Sequence, residues 1–430
     1  MKKILLSITL FLFSCQNFQF PAIEKNQEVS SEDFLMQAVK PTHSQFQSSD
    51  LAILDVKDEK VKIALLFPLS GENKELGQSL VNSATLALFE NDKNADIQLV
   101  LFNSGDSKVE LEESFKEIVK QEIKIIIGPI FSSQLEEIAT KAADNGITVI
   151  SLSNNQKLAS EIKDEGGVFL AGLLPETQVE KIINYAIDRG KYSFAVISPR
   201  NQYGKIITDL TKTFVRKRDG HFITSEFYKN NDNDIDRAVK NAINVFAISG
   251  HLLEGKNKLK KDAVISQKDR IYPQVLMIPE SGKNLSKIVA AIKRQNIDER
   301  SFQIIGTSAL DDISTINDLN LLGTWFVSPE SDKFRDFEKR YYRSFNKFPP
   351  RISSIAYDAT LAVIELAKNK EYDEKINVKN FTNYNSGFEG IDGLFRFLPN
   401  GLVERNLAIL QVGNGRFDVL EKANSQFLKY

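Results

Sequence analysis

Residues 61–71 have the sequence VKIALLFPLSG, and this stretch decides the fold. Its first seven residues form a nearly unbroken apolar run, which is typical of a strand buried on both faces of a parallel sheet. Pro68 ends the strand because proline has no N–H to donate to a neighbouring strand. Ser70 and Gly71 form a polar turn, and residues 82–89 have a helical pattern. Ligands of open α/β sheets bind beyond the carboxyl ends of strands, so Ser70 and Gly71 are either ligand contacts or ordinary turn residues.

The same strand–turn–helix unit repeats in two series along the chain. The predicted strands after the first are 97–102, 124–127 and 147–150 in one series and 193–198, 221–228, 275–278 and 303–305 in the other. Nearly all of these strands end in turns rich in Ser, Gly, Asn, Asp or Pro. This alternation predicts an α/β fold with parallel sheets flanked by helices, arranged as two lobes with a cleft between them.

Composition excludes several function classes. The 430 residues carry a net charge of −2, so no basic excess indicates nucleic-acid binding. One cysteine excludes an intrachain disulfide and a cysteine-based metal cluster. The three histidines are far apart in sequence, and none has a ligand-like neighbour. We therefore predict no metal site and no cofactor.

Sequence signatures of catalysis are weak. Gly71 and Gly77 have the wrong spacing for a P-loop, and the lysine of that motif is absent. The chain has no G-x-S-x-G and no H-E-x-x-H sequence. Asp311 and Asp312 are interpreted as a helix start rather than a pair of catalytic carboxylates. The prediction is a protein that is not an enzyme.

Residues 1–15 have the pattern of a targeting segment. Two lysines precede an apolar stretch, residues 4–13, that is too short to span a bilayer. The following LFSC sequence, residues 12–15, resembles the lipobox of bacterial lipoproteins, and Cys15 is the single cysteine of the chain. The resemblance implies that Cys15 is diacylated and becomes the mature N-terminus; the alternative is a buried free cysteine. Gln16 resembles the residue that directs such lipoproteins to the outer membrane.

Two polar segments separate or interrupt the repeating units. Residues 16–60 are polar and aperiodic, and we interpret them as a flexible tether with a reach of about 35–40 Å. Residues 31–39 within it have a weak helical pattern. Residues 250–270 are polar and Lys-rich, which indicates an insertion that forms a solvated helix rather than a nucleic-acid patch.

Six sequence motifs in order carry a family resemblance. They are IALLFPLSG, IIIGPIFSSQ, TVISLSNN, FAVISPRNQYGK, IAYDATLAVIELA and FEGIDGLFRFLPNGLVERNLAILQV. Over residues 61–415 their order and spacing are similar to those of type I periplasmic binding proteins, the branch that contains the leucine/isoleucine/valine receptors. Residues 273–358 resemble the alphaproteobacterial penicillin-binding protein activators more specifically. The resemblance implies the two-lobed type I periplasmic binding protein fold.

The expected lobe boundaries follow from the pattern and the resemblance. The first lobe would comprise residues 61–173 and, after the chain returns, residues 306–390. The second lobe would comprise residues 174–305, including the insertion. Residues 391–430 would form a C-terminal hairpin that completes the second lobe, with its turn at Pro399-Asn400-Gly401.

Resemblance to the amino-acid receptors implies where ligand contacts fall. In the first lobe they are in the turns Ser132-Ser133 and Ser153-Asn154-Asn155, whose hydroxyl, amide and backbone N–H groups can hold a carboxylate. In the second lobe the matching residues are Tyr203, Glu280 and Thr307.

The second-lobe turns depart from the receptors in one respect. An amino-acid receptor needs an acid for the ammonium group, and the turn Gly306-Thr307-Ser308 has none, so Glu280 is the substitute. The alternative is a closed cleft lined by ordinary turn residues.

The resemblance implies a function and a location. We expect a non-enzymatic lipoprotein that regulates peptidoglycan synthesis by binding a penicillin-binding protein, a peptidoglycan synthase, on the periplasmic side of the outer membrane. The lipid anchor would attach it to the membrane. The alternative is a substrate-binding lipoprotein that takes an amino acid or related small molecule in the cleft for an ABC importer or a sensor.

Overall fold

The computed structural model describes residues 60–93, 97–160, 166–244, 247–248, 270–295, 302–368, 378–383 and 386–427. The chain divides into two compact units, residues 1–57 and 58–430, and the first lies wholly outside the described residues. The predicted signal peptide with Cys15, nearly all of the predicted tether and nearly all of the insertion therefore lie outside them.

The strands are those of two large sheets and two small ones. They are β1 (Val61–Phe67), β2 (Ile97–Asn103), β3 (Ile125–Ile127), β4 (Thr148–Ser151), β5 (Gly167–Leu170), β6 (Ser193–Pro199), β7 (His221–Tyr228), β8 (Ala247–Ile248), β9 (Arg270–Ile271), β10 (Val275–Met277), β11 (Gln303–Gly306), β12 (Trp325–Ser328), β13 (Phe388–Gly390), β14 (Gly393–Phe397), β15 (Val403–Arg405), β16 (Ala408–Gly413) and β17 (Arg416–Glu421).

The α-helices connect these strands and cover the sheets. They are α1 (Lys74–Asn91), α2 (Lys108–Lys120), α3 (Ser132–Asp144), α4 (Pro175–Asp188), α5 (Gln202–Lys217), α6 (Asp232–Ile243), α7 (Gly282–Arg294), α8 (Ile313–Asn317), α9 (Ser331–Phe345), α10 (Ser353–Lys368) and α11 (Val378–Asn383). In the part of the chain that the structure describes, no helix is both long and apolar enough to cross a membrane.

The first sheet has five parallel strands in the order β2-β1-β3-β4-β5. β1 pairs on both sides, so that Leu65 lies between Leu101 of β2 and Ile127 of β3. Residues 63–67 of β1 are fully buried. The prediction of a strand buried on both faces is confirmed, because helices cover both faces of this sheet.

The second sheet has seven strands in the order β17-β16-β12-β11-β10-β6-β7. The five neighbouring strands β12, β11, β10, β6 and β7 are parallel. β16 and β17 extend the sheet beyond β12 in antiparallel pairs. Two separate apolar clusters lie on its two faces, one with Ala195, Leu276 and Phe326 and one with Phe194, Val196 and Met277. Alternate side chains of the same strand enter opposite clusters, which confirms a sheet covered on both sides.

The chain returns to the first lobe later than residue 306, the predicted position. β12 follows β11 after a short excursion and pairs with it in parallel, so residues up to Ser328 belong to the second sheet. α9 and α10 then lie on the first lobe, where Phe337 and Ala359 are fully buried. The boundary was wrong because β12 is one more strand of the second sheet.

The predicted hairpin at residue 391 also needs correction. β14 and β15 are antiparallel around Pro399-Asn400-Gly401, so the turn is confirmed. The pair packs on the first lobe rather than the second, because Phe397 meets Phe169 of β5 with ring centroids 5.0 Å apart. Burying such a ring contributes about 1.5–3 kcal/mol. After β12, the chain returns to the second sheet only at β16.

Candidate functional site

Ser132 and Ser153 meet at the carboxyl ends of β3 and β4. Their hydroxyl oxygens are 2.7 Å apart. Ser151 supports this turn, because its hydroxyl donates to the carbonyl oxygen of Pro129 at 2.7 Å and accepts from the N–H of Ser153 at 3.1 Å. The hydroxyl of Ser153 also accepts from the N–H of Asn155 at 3.2 Å. The structure thus brings together two of the predicted contacts, whereas the side chains of Ser133 and Asn154 are exposed beside them.

The amino end of α3 provides hydrogen-bond donors at the same strand ends. Its N-cap residue is Phe131, which has no side-chain atom able to cap the helix. A helix N-terminus with uncapped N–H groups attracts anions because those groups and the helix dipole are both positive there. Ser132 and Ser133 are the first two residues of this helix. The first-lobe wall therefore has the chemistry of a carboxylate site.

Two polar side chains with buried oxygen atoms at this wall were not predicted as site residues from the sequence. The side-chain nitrogen of Gln134 donates to the carbonyl oxygens of Ser104 and Gly105 at 3.2 and 2.9 Å. The side-chain oxygen of Gln134 and the hydroxyl of Ser104 are buried and have no hydrogen-bond partner among the described residues. Ser104 lies in the polar turn after the predicted strand 97–102, which was the available signal in the sequence.

Ser70 and Gly71 belong to a closed turn rather than an open one. The hydroxyl of Ser70 accepts from the side-chain nitrogen of Asn103 at 2.8 Å and contacts the carboxylate of Glu110 at 3.4 Å. Gly71 has a φ of +72°, and a β-carbon there would lie 1.5 Å from a carboxylate oxygen of Asp106. Glycine is required by the backbone and by this close approach. The two residues hold the ends of β1 and β2 together.

Tyr203 and Thr307 form a hydrogen-bonded pair in the second-lobe wall. The hydroxyl of Tyr203, at the start of α5, lies 2.8 Å from the hydroxyl of Thr307, which follows β11. Thr307 is fully buried, and the next N–H, that of Ser308, donates to Gln178 at 2.8 Å. Burial raises the pKa of Tyr203. The Tyr203 hydroxyl therefore stays protonated, and the two hydroxyls form a hydrogen bond with each other.

Glu280 is paired as well. It follows β10, and its carboxylate accepts a short hydrogen bond from the hydroxyl of Tyr228 at the end of β7. The other oxygen accepts from the N–H of Ser281 at 3.3 Å. Burial, and then the carboxylate of Glu280, raise the pKa of Tyr228. Tyr228 was predicted only as a strand residue, and no sequence signal indicated its contact with Glu280.

Sequence and structure comparisons identify the family. The family model described as periplasmic binding protein matches residues 60–416 of the chain. This chain belongs to the periplasmic binding protein family. Family membership implies a periplasmic or extracellular location, and the two sheets match the two-lobed type I structures.

Individual relatives of this periplasmic binding protein are distant. The Rickettsia prowazekii protein RP748, described as uncharacterized, is 25% identical over 373 residues, which are 85% of this chain and 90% of that protein. The penicillin-binding protein activator LpoA of Glaesserella parasuis is 23% identical over 190 residues, 42% of this chain and 31% of LpoA.

A solved structure from Rhodospirillum rubrum shares the fold. It is a putative branched-chain amino acid ABC transporter protein, with a TM-score of 0.68, 16% identity, and coverage of 84% of this chain and all of that one. At this identity the likeness shows the fold alone. The family consists of binding proteins, and proteins of this fold bind small molecules between their lobes.

A buried ionic network joins the segments of this binding protein where the chain crosses between lobes. Arg351, just before α10, donates to Asp311 of the second lobe at 2.9 Å and to Asp392 at 2.7 Å. Arg405, at the end of β15, donates to Asp358 of α10 at 2.7 Å. Burial and the neighbouring carboxylate of Asp392 raise the pKa of Asp358 to about 6 against the opposing effect of Arg405.

The two aspartates interpreted as a helix start have separate roles. Asp312 caps α8, because its carboxylate accepts from the N–H of Ser314 at 2.8 Å. Asp311 is bound by Arg351 and by the hydroxyl of Ser328 at 2.7 Å. Among the described residues, no group of three or more His, Cys, Asp or Glu side chains is arranged to hold a metal ion.

Proposed function

We propose that this periplasmic binding protein is a lipid-anchored, non-enzymatic regulator of peptidoglycan synthesis that acts by binding a penicillin-binding protein. The observation that carries the proposal is the self-paired second-lobe wall. Tyr203 bonds Thr307, and Tyr228 bonds Glu280. Each of these bonds uses one hydrogen-bond donor of the wall, so a small ligand finds fewer free donors there than at the uncapped start of α3.

Sequence likeness supports the same proposal. The relative from Glaesserella parasuis is named a penicillin-binding protein activator. The proposed anchor is Cys15, and the proposed location is the periplasmic side of the outer membrane, since Gln16 follows the cysteine. The partner would be a peptidoglycan synthase, which a tether of 16–60 would allow the folded unit to reach.

The test is a reconstituted synthesis assay. The purified mature chain is added to each bifunctional penicillin-binding protein of the same organism, and the rates of glycan polymerisation and crosslinking are measured with lipid II as substrate. We expect one synthase to bind saturably and its rate to rise with the bound fraction. Binding to none of these synthases, with unchanged rates throughout, contradicts the proposal.

A second candidate is a substrate-binding protein for a small carboxylate. It is favoured by the uncapped start of α3, where the backbone N–H groups and the hydroxyl of Ser132 can donate to a carboxylate. A thermal-shift screen of amino acids, aromatic carboxylates and muropeptides tests it. A ligand at about 100 times its Kd stabilises the folded state by about 2.7 kcal/mol.

One variant separates the two candidates. Ser132→Ala should weaken a carboxylate-induced thermal shift, because it removes a hydroxyl at the uncapped start of α3. The same variant should leave stimulation of a synthase unchanged if the first candidate holds. Loss of both activities would mean that synthase binding depends on a cleft ligand.

A further inference from the structure

A concentrated apolar surface lies where the strands of the second sheet begin. Tyr192, Tyr272, Leu319 and Leu322 are 49, 47, 64 and 47% exposed. Tyr192 directly precedes β6, Tyr272 precedes β10, and Leu322 precedes β12. The candidate ligand site is at the opposite, carboxyl ends of the same strands. This surface is therefore separate from the cleft.

Hydrogen bonds connect the residues of this surface across neighbouring strands. The side-chain oxygen of Gln274 accepts from the N–H of Tyr192 at 2.8 Å. The hydroxyl of Ser193 donates to the carbonyl oxygen of Tyr272 at 2.7 Å. Strands in a sheet are about 4.8 Å apart, so the three steps from β6 through β10 and β11 to β12 span about 14 Å. Tyr192 and Tyr272 are therefore neighbours, and Leu322 lies at the same sheet edge within about 14 Å of them.

A cavity of about 330 Å³ opens at the same edge. Its apolar lining includes Ile292, Phe302 and Leu322, and its charged lining consists of Lys191 and Lys293. No acidic side chain is among these lining residues, all of which belong to the described part of the chain. The volume suits one large side chain rather than a whole secondary-structure element.

The charges at this edge favour an acidic occupant. The ammonium of Lys191 lies 5.9 Å from the centre of the Trp325 ring, and that of Lys293 lies 2.9 Å from the side-chain oxygen of Asn320. The carboxylate of Asp318 accepts from Ser286 at 2.6 Å and from the N–H of Asn320 at 2.9 Å. It also interacts electrostatically with Lys293, so it offsets part of that positive charge, and Lys191 contributes the rest of the positive rim. Complementary charge steers and selects partners at such surfaces.

The chain's own insertion does not complement this surface in charge. Residues 251–269 contain more lysines than acidic residues, so they carry the same sign as Lys191 and Lys293. An exposed apolar surface of this kind marks an interaction site, and the positive rim selects a partner segment that carries carboxylates.

We propose that the surface formed by Tyr192, Tyr272, Leu319, Leu322 and the Lys191–Lys293 cavity docks an acidic segment of a partner protein. An aromatic or branched aliphatic side chain of that segment enters the cavity, and its flanking carboxylates meet the two lysines. This docking does not depend on the function of the cleft.

Trp325 provides a reporter beside the cavity. It is the single tryptophan of the chain, and its indole N–H donates to Gln411 at 3.1 Å. The mature chain labelled with ¹⁵N is titrated with an acidic peptide, in which one Phe is flanked by Asp and Glu, while the indole signal is recorded. A matched peptide with Lys at every acidic position is the control probe.

The expected result is a saturable shift of the indole signal with the acidic peptide. Lys191→Glu and Leu322→Asp should each weaken the binding about tenfold or more, which corresponds to about 1.4 kcal/mol. Lys283→Glu is the matched control, because it lies at the other end of the helix that carries Lys293. It should bind the acidic peptide as the unmodified chain does.

Four results would overturn the proposal. Equal binding of the Lys peptide would show that the two lysines do not select an acidic partner. The absence of an indole shift with either peptide at millimolar concentration would show that the surface binds neither peptide. Self-association that Leu322→Asp abolishes makes a second copy of the chain the occupant. An indole shift that follows deletion of residues 251–269 without peptide means that the chain covers the surface itself.

Discussion

Replacing Arg405 by methionine should destabilise the folded unit strongly. The Arg405 guanidinium bonds the carboxylate of Asp358 at 2.7 Å, and the two side chains are 3% and 0% exposed. Methionine preserves much of the apolar volume but leaves Asp358 buried without its counter-ion. Breaking a buried ion pair in this way costs about 3–5 kcal/mol. The expected value lies towards the lower end, because two nitrogens of Arg405 have no partner among the described residues.

The loss of unfolding free energy caused by Arg405→Met should be smaller at low pH than at high pH. Asp358 also accepts from the N–H groups of Ile391 and Asp392 at 2.6 and 3.3 Å. Removing the guanidinium raises the pKa of Asp358 further, so the carboxyl group of the variant takes up a proton more readily in the folded state. Protonation removes the buried charge, and the loss of stability caused by Arg405→Met should therefore be smaller at pH 5 than at pH 8.

Urea unfolding followed by circular dichroism measures this change, and two variants control it. Arg416→Met removes an arginine that pairs with Asp418 on the surface, and it should leave the unfolding free energy close to that of wild type. Arg405→Met combined with Asp358→Asn should recover part of the loss, since the uncompensated charge is then gone. A loss below about 1 kcal/mol, or a double variant that is as unstable as the two losses added, would refute the ion-pair explanation.

Three further changes test other parts of the structure. The pKa of Asp358 is raised to about 6, so the stability it contributes in acid is lost as pH rises from about 4 to 6; Asp358→Asn should remove this decline in urea titrations, and an unchanged slope would contradict it. Gly77→Ala should destabilise by about 1–3 kcal/mol in the same assay, because its β-carbon would lie 1.8 Å from the carbonyl oxygen of Pro68. Ser104→Ala should not lower the melting temperature without ligand, since its buried hydroxyl is unpartnered among the described residues, whereas a structural role would lower it.

The elements that local sequence determines were predicted well. The apolar run at residues 61–67 predicts a buried strand from local sequence, because it is short and Pro68 ends it. The turn at Pro399-Asn400-Gly401 was predictable for the same reason, since these residue types favour a reversal of the chain. Alternation of such strands with helices was enough to predict parallel sheets in two lobes.

The lobe boundaries depend on pairings that no local pattern records. β12 has the composition of a buried strand, and that composition is the same whether its neighbour is β11 or a strand of the first sheet. The aromatic residues of β14 likewise predict burial but not the partner, which proved to be Phe169 and Phe381 of the first lobe. Strand identity came from the sequence, whereas sheet membership required the tertiary contacts.

Among the candidate site residues, too, some contacts were predictable from local sequence and others were not. Ser132 and Ser153 were predicted as turn residues of adjacent units, and parallel strands bring the carboxyl ends of such units together. The bond of Tyr228 to Glu280 could not be predicted, because these residues are 52 positions apart and one of them ends a strand. Ser70 and Gly71 are explained by the contacts of their turn with Asn103 and Asp106, without a ligand.

The two walls of the cleft differ in the binding free energy that they could provide to a ligand. In the first-lobe wall the hydroxyls of Ser132 and Ser153 bond each other, but the uncapped start of α3 still offers backbone N–H groups. In the second-lobe wall, Thr307 and Glu280 already bond tyrosine hydroxyls. Exchanging existing hydrogen bonds for ligand bonds yields little free energy, whereas satisfying unmet groups yields more. A small molecule would thus be held mainly by one lobe, and one-sided contacts provide little energy to close a cleft. This asymmetry favours a protein whose main partner is another protein.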